Sequence, residues 1–577
     1  MAGETQFEIE SLEEDLSDFN FTLFDRDLVV EKLNSLCRQF HLTSEKLFDE
    51  VIAYATNHKK GQVDVELLEN FFVFYTKKTT KDDGTATKRR KVLVELTPST
   101  VNKHDESMDT SVTQPNQVDS SKTYEDAPPY LASFAPVKCV AGPGWFCNRT
   151  DSGKVIVKLD GDRCGKGDKH SNKICVNIVC GQSPSSLSYG MAKAAKVIEG
   201  LSSRLEQYSN MVKEANETCA NKSFDSLNTH SEGEVFVRGI VQSVNSRNSF
   251  TLVAEEGEGS ASVEVDVSHL TEQCFLFPGQ LVVLRGIARS SHLIEASSFL
   301  RSPTALPPLI KEASGSVSVW MCSGPFTSPS TASFEPLAHI LHTVTTQQPN
   351  VLILTGPLVD RNNTFMTNGK SNLTDDQLTE ILIKKITQAM SNCSTRVFII
   401  PSSSRDSSVF PSFPSTTFIS HKSSNLTTNV QLLSDPSILS VDGIEIAVTA
   451  SEIIHHLSSA EVLSSKSKQG GDRIGRIAGH LLEQNCLYPL NPPLIAASPE
   501  RLNEKCVLSH PPHILLTPCL LNPFIKSVNG CIVCNPGPIC RGETPSSMLK
   551  MRVNLYGLPE EGVRSIEEYA QVHVEKL

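Results

Sequence analysis

The chain has no excess of positive charge: its 577 residues carry 53 Lys and Arg against 65 Asp and Glu, a formal net charge of −12. Proteins that grip duplex DNA unaided usually present a basic face, so this balance argues against nucleic acid as the main ligand. No run of eighteen apolar residues occurs, and no membrane-spanning helix is expected. The stretch from Glu4 to Asp18 is acidic and lacks the basic-plus-apolar layout of a signal segment, which sets the expectation of an intracellular chain. There is no Gly-x-Ser-x-Gly elbow and no Walker loop, and Gly165-Lys166-Gly167 lacks the upstream glycine spacing. The sixteen cysteines form no ligand set. Cys531 and Cys534 sit in a strand-like run, where positions i and i+3 face opposite sides, and only Cys540 lies near them. They are expected to be structural thiols, with no metal and no cofactor.

What is present divides the chain. Leu28, Val29, Leu33, Leu36, Cys37 and Phe40 recur at helical spacing, and Leu47, Phe48, Val51, Ile52 and Ala55 repeat the pattern. Asp64 can cap a third helix, with Val63 and Leu68 placed for a hydrophobic staple. Residues 1–76 therefore read as a small helical domain. Residues 77–130 lose the periodicity and read as a disordered, flexible linker, since so few large apolar residues cannot offset the entropy of ordering. Within it, Lys88, Arg89, Arg90 and Lys91 form a basic cluster that an import receptor could read in extended form, which points to the nucleus. Thr97-Pro98 is a candidate phosphorylation site beside it. Residues 131–231 read as a lead-in region: 155–159 and 174–178 have strand character. Residues 191–214 form an amphipathic helix with Ala195, Ile198, Leu201 and Leu205 on one side.

Residues 232–300 contain five short strands: 235–241, 250–253, the alternation of Val263, Val265 and Val267, 281–287, and 294–299. Five strands with turn signals in about seventy residues suit an OB-fold. Its aromatics are Phe236, Phe250, Phe275, Phe277 and Phe299, read as core and interface because acids outnumber bases there and base-stacking surfaces need a basic groove. From 316 onward strands (317–322, 351–355, 396–400, 438–449 with a hairpin turn at Asp442-Gly443, 513–517, 531–535) alternate with helices (335–345, 375–390, 473–485). Such alternation means a layered α/β sheet. The fold class is thus an α+β multidomain chain.

The strand ends carry a pattern. Val351-Leu-Ile-Leu-Thr355 runs into Gly356-Pro357-Leu358-Val359-Asp360, and Arg396-Val-Phe-Ile-Ile400 leads to Ser403-Ser404-Arg405-Asp406. The layout resembles the calcineurin-like phosphoesterases, whose strand ends carry Gly-Asp-x-x-Asp/Asn and Gly-Asn-His-Asp/Glu and hold two metal ions. Here the bridging Asp is Pro357, the ligating Asn is Ser404 and the phosphate-facing His is Arg405. The first strand, ending at Ser323, offers neither Asp nor His, and Leu515-Leu-Thr-Pro-Cys519 lacks the closing His pair. His455, His456 and His480 are expected on helical or loop surfaces. Asp360 and Asp406 survive and are expected to cap loops or pair with Arg405. Ser323, Pro357, Asp360, Ser404, Arg405 and Asp406 therefore mark a vestigial metal site with no catalytic residue.

Six stretches in order strengthen the comparison: Leu276-Phe-Pro-Gly-Gln280, Cys322-Ser-Gly-Pro-Phe-Thr327, Gly356 to Asp360, Pro401 to Asp406, Tyr488-Pro-Leu-Asn-Pro-Pro493 and Cys531-Ile-Val-Cys-Asn-Pro-Gly537. Together they resemble the B subunits of eukaryotic replicative DNA polymerases, and among these the alpha type. The resemblance implies an OB-fold (232–300) packed on an inactive calcineurin-like phosphoesterase domain (301–577). It also implies a non-enzymatic scaffold that binds the C-terminal domain of the catalytic subunit of DNA polymerase alpha. The chain would thereby join the two primase subunits in primer synthesis, with DNA met mainly through the complex. Two other readings stand beside it: an epsilon-type B subunit, and an independent single-strand-binding OB module.

Overall fold

A computed structural model gives the structure of the protein. It describes parts of residues 22–75, then Phe134, Phe146 and Arg149, and from 151 onward all but 165–173, 182–192, 218–219, 221, 228–232, 247, 257–258, 271–273, 302–304, 312–314, 419–425, 465–471 and 557. The expected linker, with Lys88, Arg89, Arg90, Lys91 and Thr97, lies outside the described residues, as do the helical residues Phe48, Ile52 and Ala55. Two compact units are present, Met1–Asn116 and Gln117–Leu577.

In the first unit, β1 (Thr22–Leu23) pairs in parallel with β2 (Gln62–Val63). Helix α1 (Arg26–Phe40) turns Val29, Leu33 and Leu36 into a core with Leu47, Val51, Leu67, Leu68 and Phe71. Leu28, expected on that face, is 58% exposed. One residue is a rotation of about 100°, so the stripe through Val29 carries Leu28 outward.

The second unit begins with β3 (Val155–Asp160), β4 (Val176–Cys180) and α2 (Ala194–Ala215). A closed barrel follows, made by β5 (Glu234–Ser246), β6 (Ser249–Glu256), β7 (Gly259–Asp266), β9 (Leu281–Ser290) and β10 (Leu293–Leu300) in the order β10-β7-β6-β5-β9. All its pairings are antiparallel except β7 with β10. The strands run longer than the apolar alternation alone suggests. A further strand, β8 (Cys274–Leu276), leaves the barrel.

Then come β11 (Ser316–Ser323), α3 (Glu335–Gln347), β12 (Val351–Thr355), the short α4 (Thr364–Thr367), α5 (Asp375–Met390), β13 (Arg396–Ile400), β14 (Val430–Leu432), β15 (Ser437–Val441) and β16 (Ile444–Val448). The chain continues through α6 (Ile453–Ala460), β17 (Val462–Ser464), α7 (Arg473–Glu483), α8 (Pro499–Lys505), β18 (Ile514–Leu516), β19 (Phe524–Val528), β20 (Cys531–Asn535), β21 (Cys540–Arg541), β22 (Thr544–Pro545), β23 (Ser547–Asn554) and β24 (Ala570–Lys576). Helix α5 starts at Asp375 because Thr374 and Gln377 form a reciprocal capping box.

These strands make a seven-stranded sheet, β14-β13-β12-β11-β23-β24-β3, and a six-stranded sheet, β19-β20-β18-β16-β15-β4. The pleat alternates their side chains between layers. Val319 and Met321 of β11 face the second sheet, in a core shared with Leu439, Ile446, Leu516 and Cys534. Trp320 and Cys322 face the other way, toward the helices α3 and α5. Beyond the second sheet, α6 and α7 cover Ala447, Leu515 and Val533. The result is helix, sheet, sheet, helix. The two strands of residues 131–231 form one edge of each sheet. In α2 the buried side chains are Leu205, Ser209 and Val212. The expected stripe fails at its start, where Ala195 and Ile198 are exposed, because only the second half of the helix lies on the barrel.

Candidate functional site

Parallel strands end together, so the loops after β11, β12 and β13 converge on one side of the sheet. Ser323-Gly324, Gly356-Pro357 and Ser402 to Arg405 meet there with Glu452 and with Pro518-Cys519 from the second sheet, lining one cavity. Its volume is about 10 Å³, room for a single water at most. Pro357 is buried and offers no ligand atom, Ser323 is buried, and Ser404 is exposed, with its hydroxyl 3.2 Å from that of Ser402.

Two carboxylates remain, and both are engaged. Asp360 accepts Arg405 Nη2 at 2.5 Å. Asp406 is fully buried and accepts the backbone N–H groups of Leu358 (2.5 Å), Val359 (3.2 Å) and Ser402 (2.7 Å). Burial pushes its pKa up to about 7, against the pull of those three donors. The backbone is fitted to this filled cleft. A Cβ on Gly356 would sit 2.0 Å from Asp406 Oδ2. Arg361 Nη2 donates to the carbonyl of Asp406 at 2.7 Å and fixes the loop from outside. Glu452, which the sequence does not single out, joins the cleft from the turn after β16, and burial raises its pKa. Ser323, Pro357, Arg405 and Glu452 are thus brought together around the cavity, Asp360 and Asp406 support it, and Ser404 points away. Such an arrangement can position no metal pair: one carboxylate is neutralised by a guanidinium, and the other serves backbone donors.

The second feature is the seam between barrel and sandwich. Strand β8 pairs with β17, Leu276 opposite Val462. Gly279 has φ +95°, and a Cβ there would lie 2.3 Å from the carbonyl of Pro489. The Phe-Pro-Gly-Gln and Tyr-Pro-Leu-Asn-Pro-Pro stretches therefore pack directly on each other. Gln484 of α7 grips Leu281, accepting its N–H at 2.7 Å and donating to its carbonyl at 3.1 Å. Arg476 lies over the Phe275 ring at 3.6 Å and donates twice to Glu461, at 3.0 and 2.9 Å. His480 bonds Glu461 at 2.9 Å and meets the edge of Phe277. Burial opposes ionisation of Glu461, but these hydrogen bonds outweigh it and bring its pKa down to about 2. His480 is therefore buried in the seam, not on a surface. His456 is half-buried against the Tyr488 hydroxyl at 3.1 Å, and His455 is exposed. Sequence patterning missed Glu461, Arg476 and Gln484 because polar residues on a helix look solvent-facing until a second domain covers them.

Among the described residues one trio could geometrically hold a cation: Asp266, His269 and Glu295 on the barrel rim. It is spoken for, since His269 and Arg289 both pair with Glu295. Cys531 and Cys534 belong to cores on opposite faces of the second sheet, and burial raises both thiol pKa values.

Residues 319–526 match a family model for the B subunit of DNA polymerase alpha/epsilon. Residues 10–77 match one for the N-terminal part of the DNA polymerase alpha B subunit. Over 583 residues the chain is 28% identical to the DNA polymerase alpha B subunit of Caenorhabditis elegans, covering 99% of this chain and 100% of that one. To the Mus musculus protein of the same name it is 25% identical over 563 residues, covering 91% and 92%. A stretch of 272 residues is 30% identical to the Drosophila melanogaster protein, covering 46% and 42%. Among solved structures, a Vps29 single mutant from Entamoeba histolytica covers 45% of this chain and 99% of its own, with 10% identity and a TM-score of 0.19, too low to carry an argument.

Proposed function

Because the chain belongs to the family of DNA polymerase alpha B subunits, we propose that it is the non-catalytic scaffold of a DNA polymerase alpha–primase complex. It binds the C-terminal domain of the catalytic subunit, and through that contact it joins the primase subunits and supports primer synthesis in the nucleus. The observation that carries this reading is the filled cleft. Pro357 and the Arg405–Asp360 pair stand where a phosphoesterase of this layering needs metal ligands. A fold that has kept its layers and lost its ligands has kept a surface. The helix, sheet, sheet, helix order supports a phosphoesterase-like domain, and the barrel order with its one parallel pairing supports an OB-fold. The seam of Gly279, Gln484 and Arg476 makes the two a single platform. The match over residues 10–77 favours the alpha type over the epsilon type.

A permanent contact of this kind buries above about 2,000 Å² and resists salt, unlike phosphate-driven binding. The test is coexpression of this chain with the C-terminal domain of the polymerase alpha catalytic subunit, then gel filtration at low and high salt. Coelution at both salt levels is expected. Separate peaks at both would overturn the proposal.

A further inference from the structure

The outer face of the seven-stranded sheet carries a cavity of about 480 Å³ that the scaffold reading does not use. It lies where α3 ends and the helix layer stops, over β11, β23 and β24. The strand register puts Trp320, Lys550, His573 and Lys158 in one row across four strands. Ser318, Arg552, Gln571 and Asp160 form the next row. Their alternating neighbours, such as Met321, Leu549 and Val572, point into the inter-sheet core, so both rows face outward. Two strand spacings, about 10 Å, separate Lys550 from Lys158.

The charge here runs against that of the chain. Glu575 is the one carboxylate lining the cavity, and it pairs with Lys550, whose ammonium also sits 4.4 Å over the Trp320 ring. Arg552 lines the same cavity and donates through Nε to Ser316 Oγ. Lys158 pairs with Asp160 at the exposed end of the row. Above the cavity, α3 presents His339 and His342, and Arg149 reaches His339 at 3.1 Å. Burial lowers the His339 pKa to about 4, and Arg149, His342 and Lys550 all push it the same way. This is a local field of positive sign on a chain of net charge −12.

We propose that this sheet face is a contact site for the phosphodiester backbone of single-stranded nucleic acid. Lys550, Arg552 and Lys158 would meet successive phosphates, while Gln347, Gln571 and Ser318 supply neutral hydrogen-bonding groups between them. Trp320 is covered by Lys550 and unavailable for stacking, so the contact is with the backbone and tolerant of sequence. The choice of nucleic acid over an acidic peptide rests on the polymerase-subunit reading.

The probe is a fluorescent oligothymidylate of about twenty residues, titrated with the full chain between about 50 and 200 mM salt. Three phosphate contacts give a slope of log K on log salt of about −2, at about −0.7 each. Lys550→Gln with Arg552→Gln should cut it to about −0.7 and weaken binding about tenfold at the low-salt end. Lys158→Glu, at a site 69% exposed where folding is indifferent, should weaken binding several-fold by itself. The proposal is overturned by absence of binding at low salt or by unchanged affinity in both variants. Poly-glutamate displacing the oligonucleotide at equal charge concentration would also overturn it and would assign the face to acidic peptide. Coelution with the polymerase domain is a separate measurement, so either reading can fail alone.

Discussion

Arg405 Nη2 lies 2.5 Å from Asp360 Oδ2, joining the loops that follow two neighbouring parallel strands. Around it the cleft has closed to about 10 Å³, and the buried carboxylate next in sequence, Asp406, has become an acceptor for three backbone N–H groups. A group of this kind organises loops. It leaves nothing free to hold an ion or activate water.

Manganese-dependent hydrolysis of a generic phosphodiester is therefore expected at background level in the wild-type chain, and unchanged by Asp360→Ala or Asp406→Ala. Turnover that either substitution abolished would reinstate metal chemistry at this cleft.

Arg405→Leu should cost about 1–3 kcal/mol in unfolding free energy, because it leaves the largely buried Asp360 carboxylate without its partner. Adding Asp360→Leu should recover part of that loss, since the second substitution removes the stranded charge. A double-mutant cycle by urea unfolding reads the coupling. Strict additivity would show that the pair does not stabilise the loops.

Asp435 is fully buried, and burial pushes its pKa up to about 7. It accepts the Ala450 N–H at 3.0 Å, while its Oδ2 has no partner. The folded chain then holds a proton that the unfolded chain releases near pH 4. Its stabilising contribution is complete below that pH and is lost as pH rises toward 7, at up to about 1.4 kcal/mol per pH unit. Asp406 acts in the same direction. Asp435→Asn should flatten the decline between about pH 4 and 7 relative to wild type. Parallel stability curves for the two proteins would refute it.

Gly279→Ala forces a side chain into the left-handed region and onto the Pro489 carbonyl. A loss of about 1–3 kcal/mol is expected. Limited proteolysis should then release the barrel from the sandwich, whereas the wild-type body from 232 to 577 resists as one piece. Equal resistance of the two would mean that the seam does not depend on this approach.

Replacing Lys88, Arg89, Arg90 and Lys91 by Ala should reduce nuclear accumulation of the chain expressed without its partner. An unchanged distribution would make the cluster an ordinary solvated charge run.

The sequence by itself determined the elements whose pattern is local. The strands Val351–Thr355, Arg396–Ile400 and Cys531–Asn535 and the helix Asp375–Met390 have the bounds that apolar runs and caps indicate. The missing ligands were equally legible, because proline, serine and arginine cannot become aspartate, asparagine and histidine in any fold. Tertiary structure alone decided what depends on a second surface. Ile198 and Leu28 are apolar yet exposed, because nothing described packs against their side of the helix. His480, Glu461 and Arg476 are polar yet buried, because the barrel's β8 and Phe277 close over them. Strands β3 and β4 each pair with strands more than two hundred residues away, and no periodicity encodes that partner. A residue's own chemistry fixes which periodic face it can join. Which faces are then covered is set by pairings distant in sequence, and those decide burial, ion pairing and the shape of the platform.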